Sequence, residues 1–418
     1  MAELISIDEA RHRVLEAVRP LTADTIPLAA ALGRVLAEDV TSPIDVPPFD
    51  SSAMDGFAVA AGPGGEVDVI DEARAGHPAR ESVATGRAVR ISTGAEIPEG
   101  AEAVVPMERA EPVPAQARAG HPGTRAAGAA ETAGHAAHDR VHVPATEPGQ
   151  NVRYAGEDIR AREVVLRTGA VLGPAELGVG ASVGRAELRC SRRPQVALLL
   201  TGDELSPPGE RLGPGRIYGS NGIALAAQVQ RAGGELLLEQ TVPDTAERTR
   251  TALAGVLDSA DMVIVSGGVS VGPHDHVKDA LRELGVEERL WGVRLRPGKP
   301  TWFGVRDRTL AFGLPGNPVS AMVTFQLFAR PALAALQGAD PAARRGVAVL
   351  DDGFPRNPRR EEAVRVRLRA AEDGWHATST GDQGSHMLTS MLGADALALI
   401  DPGAGEVPPG ERVEVELL

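Results

Sequence analysis

A single cysteine, Cys190, in 418 residues leaves no partner for an intramolecular disulfide and no cysteine cluster for a metal, a composition suited to a reducing cytosol. Aromatic residues are only 3% of the chain, so its cores must be assembled from Val, Leu, Ile and Ala. No apolar run approaches the ~20 residues that a bilayer requires. The opening residues also lack the basic stretch and apolar centre of a secretory leader. A protein that neither spans a membrane nor is exported is expected, with a cytoplasmic location. Positive charge is short as well: 43 basic against 57 acidic residues give a formal charge of −14. That balance argues against general affinity for nucleic acid or anionic membrane and leaves room only for a local basic pocket.

The length predicts roughly two to four domains. Ser6 and Glu9 have the spacing of a capping box, and Ala10, Val14, Ala17 and Val18 then recur at helical spacing before Pro20. Residues 41–60 are irregular and Pro-rich, followed by short β-like runs at 88–92 and 103–106 that indicate a small β domain. Within it, residues 111–140 hold Val113 as their one large aliphatic side chain. Such a stretch cannot bury enough apolar surface to offset its ordering entropy, so a mobile surface insertion is expected, its histidines (His121, His135, His138) read as solvated rather than metal-binding.

From 196 to 336 strand and helix signals alternate. Strands are expected at 196–201, 236–242, 262–265, 291–295, 301–305 and 309–312. Helices are expected at 220–231, at 244–257 with Asp244 as N-cap, near Asp275, and after Asn317 as cap with Pro318 at the first helical position and a kink at Pro331. This is the pattern of a doubly wound α/β domain. After residue 340 the period becomes two. Val364, Val366 and Leu368 interleave with Arg365, Arg367 and Arg369, and Val413, Val415 and Leu417 with Arg412, Glu414 and Glu416. These are half-buried strands of a small all-β domain, with the arginines on a solvated face.

The chemistry is concentrated in loops that follow the α/β strands: Thr201-Gly202-Asp203-Glu204, Ser266-Gly267-Gly268-Val269-Ser270-Val271-Gly272, Arg296-Pro297-Gly298-Lys299-Pro300 and Leu314-Pro315-Gly316-Asn317-Pro318. Glycine lets backbone N–H groups turn toward an anion, and ligands of open α/β sheets bind beyond the carboxyl ends of the strands. Ser266, Gly267, Gly268 and Ser270, with Pro315, Gly316, Asn317 and Pro318, therefore form a candidate phosphate or carboxylate site. Arg296 and Lys299 supply a planar fork and a point charge beside it. Asp203, Glu204, Asp244 and Asp275 collect on the same rim, where carboxylates beside phosphate loops serve a hard divalent cation, Mg²⁺. No Gly-x-Ser-x-Gly elbow is present and Cys190 has no evident base, so electrophilic rather than covalent catalysis is expected.

These loops, together with Pro48 to Val59 (Pro-Phe-Asp-Ser-Ser-Ala-Met-Asp-Gly-Phe-Ala-Val), Ile91-Ser92-Thr93-Gly94-Ala95, Gly156-Glu157-Asp158-Ile159 and Gly384-Ser385-His386-Met387, make the chain resemble the molybdopterin molybdenumtransferase family, which includes the gephyrin E domain. The resemblance covers nearly the whole length. It implies a multidomain α/β plus β architecture: an elongated N-terminal domain from 1–45 and 146–188, an inserted β domain at 46–145, a molybdopterin-binding α/β domain at 189–336 and a C-terminal β barrel at 337–418. It implies a homodimer whose cleft is shared between copies, and insertion of molybdenum from molybdate into adenylylated molybdopterin with release of AMP and a requirement for Mg²⁺.

By position in matching motifs, the resemblance implies Asp55, Thr93, Asp158, Glu204, Asp244, Asp275 and Lys299 as catalytic residues, Glu204, Asp244 and Asp275 as metal ligands, and Ser385 as a further substrate contact, with Arg365 or Arg367 a contributor to a molybdate pocket. A molybdopterin adenylyltransferase and recipient molybdoenzymes are the further partners it suggests. Two alternatives remain: a molybdopterin adenylyltransferase, which would lack the N-terminal and C-terminal segments present here, and a non-catalytic molybdopterin-binding scaffold. Gly219, standing after Tyr218 where an acidic residue is usual, favours the scaffold.

Overall fold

The computed structural model describes residues 4–113, 139–269 and 276–418. The histidines of the expected insertion, at 121, 135 and 138, lie outside the described residues, as do Ser270, Val271, Gly272 and Asp275. The flanks of the insertion are strand: Glu111–Pro112 pairs antiparallel with Arg140–Val143. The chain divides into two compact units, one of residues up to Glu38 with Arg167–Leu177 and Glu187–Leu418, the other of Asp39–Leu166 and Gly178–Ala186.

In the larger unit a six-stranded sheet runs in the order Glu235–Val242, Gln195–Thr201, Met262–Ser266, Thr309–Leu314, Trp302–Arg306, Glu287–Trp291. Its first four strands are parallel and the last two join antiparallel. Along the central strands nearly every side chain is buried, and successive residues enter two different cores. Val196, Leu198, Leu200, Ile264 and Phe312 face one core with the helices Ile7–Ala17, Ser220–Arg231 and Pro318–Thr324. Ala197, Leu199, Val263, Val265 and Ala311 face the other, with Ala246–Val256 and Val277–Glu283. Both faces are covered, which is why these strands read as continuous apolar runs. The strand expected at 291–295 lies earlier, at Glu287–Trp291; Leu295–Arg296 instead pairs with Glu361–Ala371.

Two helix starts differ from the sequence expectation. Thr245, not Asp244, caps Ala246–Val256, its Oγ1 accepting from the Arg248 amide at 3.3 Å. Asn317 precedes the helix at Pro318 without a side-chain cap bond and spends its amide elsewhere. Beyond Pro318–Thr324 the helix passes through a π segment, Phe325–Ala329, before Arg330–Leu336. Pro331 has no N–H for the Leu327 carbonyl four residues back, and the Arg11 Nε donates to that oxygen at 3.0 Å instead. Pro318–Leu336 is the one helix among the described residues long and apolar enough to cross a membrane; 78% of it is buried inside the protein, within the α/β core.

The strands Glu361–Ala371, Gly374–Ser379, Arg345–Leu350, Arg412–Leu417 and Ala396–Ile400 close on themselves as a five-stranded barrel. The alternating valines fill its interior, and Arg367 and Arg369 are exposed as expected. Two charged residues of the pattern are not on a solvated face. Arg365 is 1% exposed and Glu416 is fully buried. Period two tells which side a residue faces, and here that side is packed against other parts of the same unit.

In the smaller unit a second six-stranded sheet has the order Ala103–Pro106, Gly56–Val59, Arg87–Ile91, Gly65–Ala73, Arg140–Val143, Glu111–Pro112. Gly56 is required where it stands: a Cβ there would lie 1.9 Å from the Val105 carbonyl oxygen.

Candidate functional site

The strand order of the α/β sheet reverses at Gln195–Thr201, whose chain neighbours continue on opposite sides, so the crevice at the carboxyl ends of Gln195–Thr201 and Met262–Ser266 is the topological switch point. Thr201 and the Ser-Gly-Gly loop meet there without room for a side chain. A Cβ on Gly267 (φ +98°) would lie 2.7 Å from both Thr201 O and Oγ1. Thr201 Oγ1 is buried and has no hydrogen-bond partner among the described residues.

One side chain ties the loops together. Asn221, in the first turn of Ser220–Arg231, donates from Nδ2 to Ser266 Oγ at 2.9 Å and to the Gly316 carbonyl at 2.7 Å. Ser266 Oγ donates in turn to the Pro315 carbonyl at 3.2 Å, and the Gly267 amide to Leu314 O at 3.0 Å. The Gly316 backbone is close enough to Gly267 that an added Cβ would sit 3.7 Å from its Cα. Sequence reasoning missed Asn221. Its signal was an amide side chain opening a helix just after a strand-to-helix turn, the place from which a short polar group reaches neighbouring loops. The helix itself begins at Gly219 with no side-chain cap, leaving its first N–H groups to other partners.

Asn317 continues the network, donating from Nδ2 to Ser385 Oγ at 3.0 Å, while the Val319 amide bonds the Ser385 carbonyl at 3.2 Å. Ser385 comes from the barrel, on a loop that Arg365 organises. The buried guanidinium donates to Ser390 Oγ at 3.1 Å and approaches the carbonyls of Asp382 and Gly384 at 3.5 and 3.4 Å. Burial pulls the Arg365 guanidinium down to about 10, which leaves it charged at neutral pH.

Acidic groups gather on the adjoining loops. Asp203 and Asp244 each accept the other's backbone amide, at 3.2 and 3.4 Å. Glu204 folds back so closely on Gly202 that a Cβ there would lie 2.6 Å from its Oε2. Burial, followed by the charges of Asp203 and Glu204, pushes the Asp244 carboxyl above its usual range; the Asp203 amide and His276 oppose this only in part. Among the described residues no three Asp, Glu, His or Cys side chains form a finished metal cage. An open pair or trio of crowded carboxylates nonetheless fits Mg²⁺, which keeps waters and substrate oxygens in its shell. Asp275 lies outside the described residues.

The Pro-Gly-Lys turn is a separate contact set in the same unit. Gly298 has no room for a side chain, since its Cβ would lie 2.4 Å from Thr324 Cγ2. Thr301 Oγ1 donates to Gly298 O at 2.7 Å, and the amides of Val293 and Thr301 bond Lys299 O at 3.0 and 2.9 Å. The turn holds Lys299 exposed, with no carboxylate partner for its ammonium among the described residues. Arg296 differs: its Nη1 is paired with the buried Glu362 at 2.9 Å.

In the smaller unit Asp55 and Thr93 are brought together. Asp55 Oδ1 accepts from the Thr93 amide at 2.7 Å and from its Oγ1 at 3.1 Å. Asp158 is fixed through its amide to Val46 O at 3.1 Å.

An α/β anion crevice built into a chain with a closed β barrel and a separate β sheet defines a multidomain protein of the molybdopterin-binding class. Residues 5–184 match the family model of the MoeA N-terminal region (domain I and II), 197–335 that of the probable molybdopterin binding domain, and 347–418 that of the MoeA C-terminal region (domain IV). A Haemophilus influenzae protein named molybdopterin molybdenumtransferase is 34% identical over 422 residues, covering 99% of this chain and 98% of that one. Molybdopterin molybdenumtransferase 2 of Mycobacterium tuberculosis is 35% identical, covering 98% of both. The crystal structure of a molybdopterin biosynthesis MoeA protein from Pyrococcus horikoshii matches over 100% of both chains with a TM-score of 0.80 and 29% identity. The chain belongs to the molybdopterin molybdenumtransferase family, a family of transferases in molybdenum cofactor biosynthesis.

Proposed function

We propose that this protein takes adenylylated molybdopterin and molybdate, inserts molybdenum into the dithiolene and releases AMP, with Mg²⁺ required. The observation that carries the reading is the Asn221 amide bridging Ser266 and Gly316, which draws two glycine loops to one point beside an uncapped helix start. Backbone N–H groups so gathered suit the phosphates of a nucleotide-tagged substrate. Asp203, Glu204 and Asp244 would hold the cation, with Asp275 as a further ligand; when bound, it neutralises phosphoanhydride charge. Lys299, held by its turn and free of carboxylate partners, would meet an anionic oxygen. Ser385, positioned through Arg365 and Asn317, would line the molybdate pocket. Asp55 and Thr93 would complete the cleft from the partner copy of a homodimer, and a four-domain partition with the boundaries given above accompanies this reading, as does a cytoplasmic location.

The test is to supply the full chain with adenylylated molybdopterin, molybdate and Mg²⁺ and to measure AMP. Release dependent on molybdate is expected, and its absence would leave the scaffold reading. A parallel incubation of molybdopterin with ATP and Mg²⁺ should yield no adenylylated product; accumulation of that product would make the protein an adenylyltransferase.

A further inference from the structure

We propose a second binding site, for a small organic anion of mononucleotide size carrying a ring N–H donor, in the cavity of about 860 Å³ beside the helix Ser220–Arg231 and the Pro318–Leu336 helix. The whole cavity belongs to the larger unit. It lies at the opposite end of the sheet from the glycine loops: Arg193 leads into Gln195–Thr201, and Gly233 into Glu235–Val242. A strand of that length separates the two ends by about 20 Å.

Its charge runs against the composition of the chain. Acidic residues outnumber basic ones 57 to 43 overall, yet Arg193, Arg231, Arg330 and Arg344 line the cavity and Asp340 is the one acidic side chain among its lining residues. The Asp340 carboxylate is already engaged by the Ala342 amide at 2.9 Å. Arg231 donates to the Leu418 oxygen at 3.1 Å. The guanidinium groups of Arg193 and Arg344 have no acceptor among the described residues. Arg330 shares the buried Glu416 with Arg11, so two cations face one carboxylate behind the cavity wall.

Two lining side chains also hold sealed polar atoms without partners: Arg330 Nε and Gln228 Oε1. The Gln228 amide nitrogen donates to Met322 O at 3.2 Å, which fixes Oε1 as the end left over. An unmet buried donor and an unmet buried acceptor each cost free energy until a ligand or water answers them. An anionic oxygen answers Arg330, and an N–H answers Gln228. Met322, Phe325 and Met391 supply apolar wall for a flat ring between these poles. The volume lies within the range typical of small-molecule sites. A nucleoside monophosphate whose base carries a ring N–H, as uracil and guanine do, has all three features in one molecule. The inference does not depend on the reaction proposed above.

Calorimetric titration of the full chain with UMP, GMP, AMP and CMP tests it, with uridine and inorganic phosphate as the two halves of the ligand. UMP or GMP, which carry a ring N–H, should bind with Kd below about 1 mM, and more tightly than AMP, CMP, uridine or phosphate. The double variant Arg193→Ala/Arg344→Ala, at partly or fully exposed positions, should weaken that binding about tenfold or more, with circular dichroism and thermal midpoint unchanged. Asn221→Ala, in the glycine-loop crevice, should leave it intact. Absence of binding by both UMP and GMP, AMP or CMP bound as tightly as they are, binding indifferent to the arginine pair, or binding lost with Asn221→Ala would each overturn the assignment.

Discussion

Two clusters of charge in the larger unit differ in how they are neutralised. Behind the barrel strand Arg412–Leu417, Glu416 is buried against Arg11 and Arg330, so that two cations share one carboxylate and each still faces an opposite charge. At the strand ends, Asp203, Glu204 and Asp244 crowd one another, and among the described residues His276 alone opposes this electrostatically at Asp244. The first arrangement holds helix Ile7–Ala17, the π segment and the barrel together. The second disfavours the ionised form of Asp244 in the folded chain, a cost that a cation bound as proposed would offset. Charge answered within the chain points to structure, and carboxylates crowded at strand ends beside glycine loops are candidates for function.

The largest effect should come from breaking the compensated cluster. Glu416→Gln leaves Arg11 and Arg330 buried without their counter-ion. Loss of one partner of such a group costs about 3–5 kcal/mol. Urea unfolding should show a fall of that order. A loss below about 1 kcal/mol, the range of a surface pair, would mean that Glu416 is not the anchor described.

The opposite sign is expected at the strand ends. The Asp244 carboxyl is held above its ordinary pKa, so its ionised form is disfavoured by folding. At neutral pH it therefore subtracts from stability, and the penalty disappears as pH falls through the folded pKa and the group protonates. Asp244→Asn should raise the thermal midpoint in metal-free buffer while lowering AMP release about tenfold or more. Mg²⁺ should raise the midpoint of the unmodified chain more than that of the variant, because a ligand stabilises the state that binds it. A variant that is destabilised, or whose response to Mg²⁺ is unaltered, would contradict the cation-binding role.

The sequence made the α/β fold legible because its central strands are apolar on both faces and its turns carry glycine and proline at fixed places. Strand positions followed within a few residues, except at 291–295, where Trp291 and Leu295 were read as one run although Gly292 separates two strands in different sheets. The site was legible as loops but not as contacts. Sequence favours Asp244 as the cap because Asp is a good one, yet Thr245 fills that role and frees the carboxylate for the Asp203 amide. Asn317 was likewise taken for a cap, and its amide reaches Ser385, 68 residues onward. Asn221 was invisible as a bridge because its partners come from two other loops. Alternation placed Arg365 and Glu416 on the outer face of their strands, and could not tell that this face meets the rest of the unit rather than water.

The smallest expected effect is a pH dependence in the barrel, where a third charged group sharpens the contrast between compensated and uncompensated charge. His376 Nδ1 lies 2.7 Å from Asp351 Oδ1 and its Nε2 lies 2.9 Å from Asp373 Oδ1, which links the strand Gly374–Ser379 to the turn after Arg345–Leu350. Asp351 first, then Asp373, raises the imidazole above its ordinary pKa. Both carboxyls are lowered, each chiefly by His376. The histidine contribution is fully present below its unfolded pKa and is lost as pH rises through the higher folded value. The carboxylate contributions are present above the unfolded Asp range and lost as pH falls through their folded values. The link is therefore strongest in mildly acidic solution, between the two titrations. His376→Gln should flatten the decline of the thermal midpoint between neutral and mildly alkaline pH, and histidine titration followed by NMR should place the imidazole above the ordinary value. Parallel midpoint curves for the two proteins would show that the triad, although compensated, carries no measurable share of barrel stability.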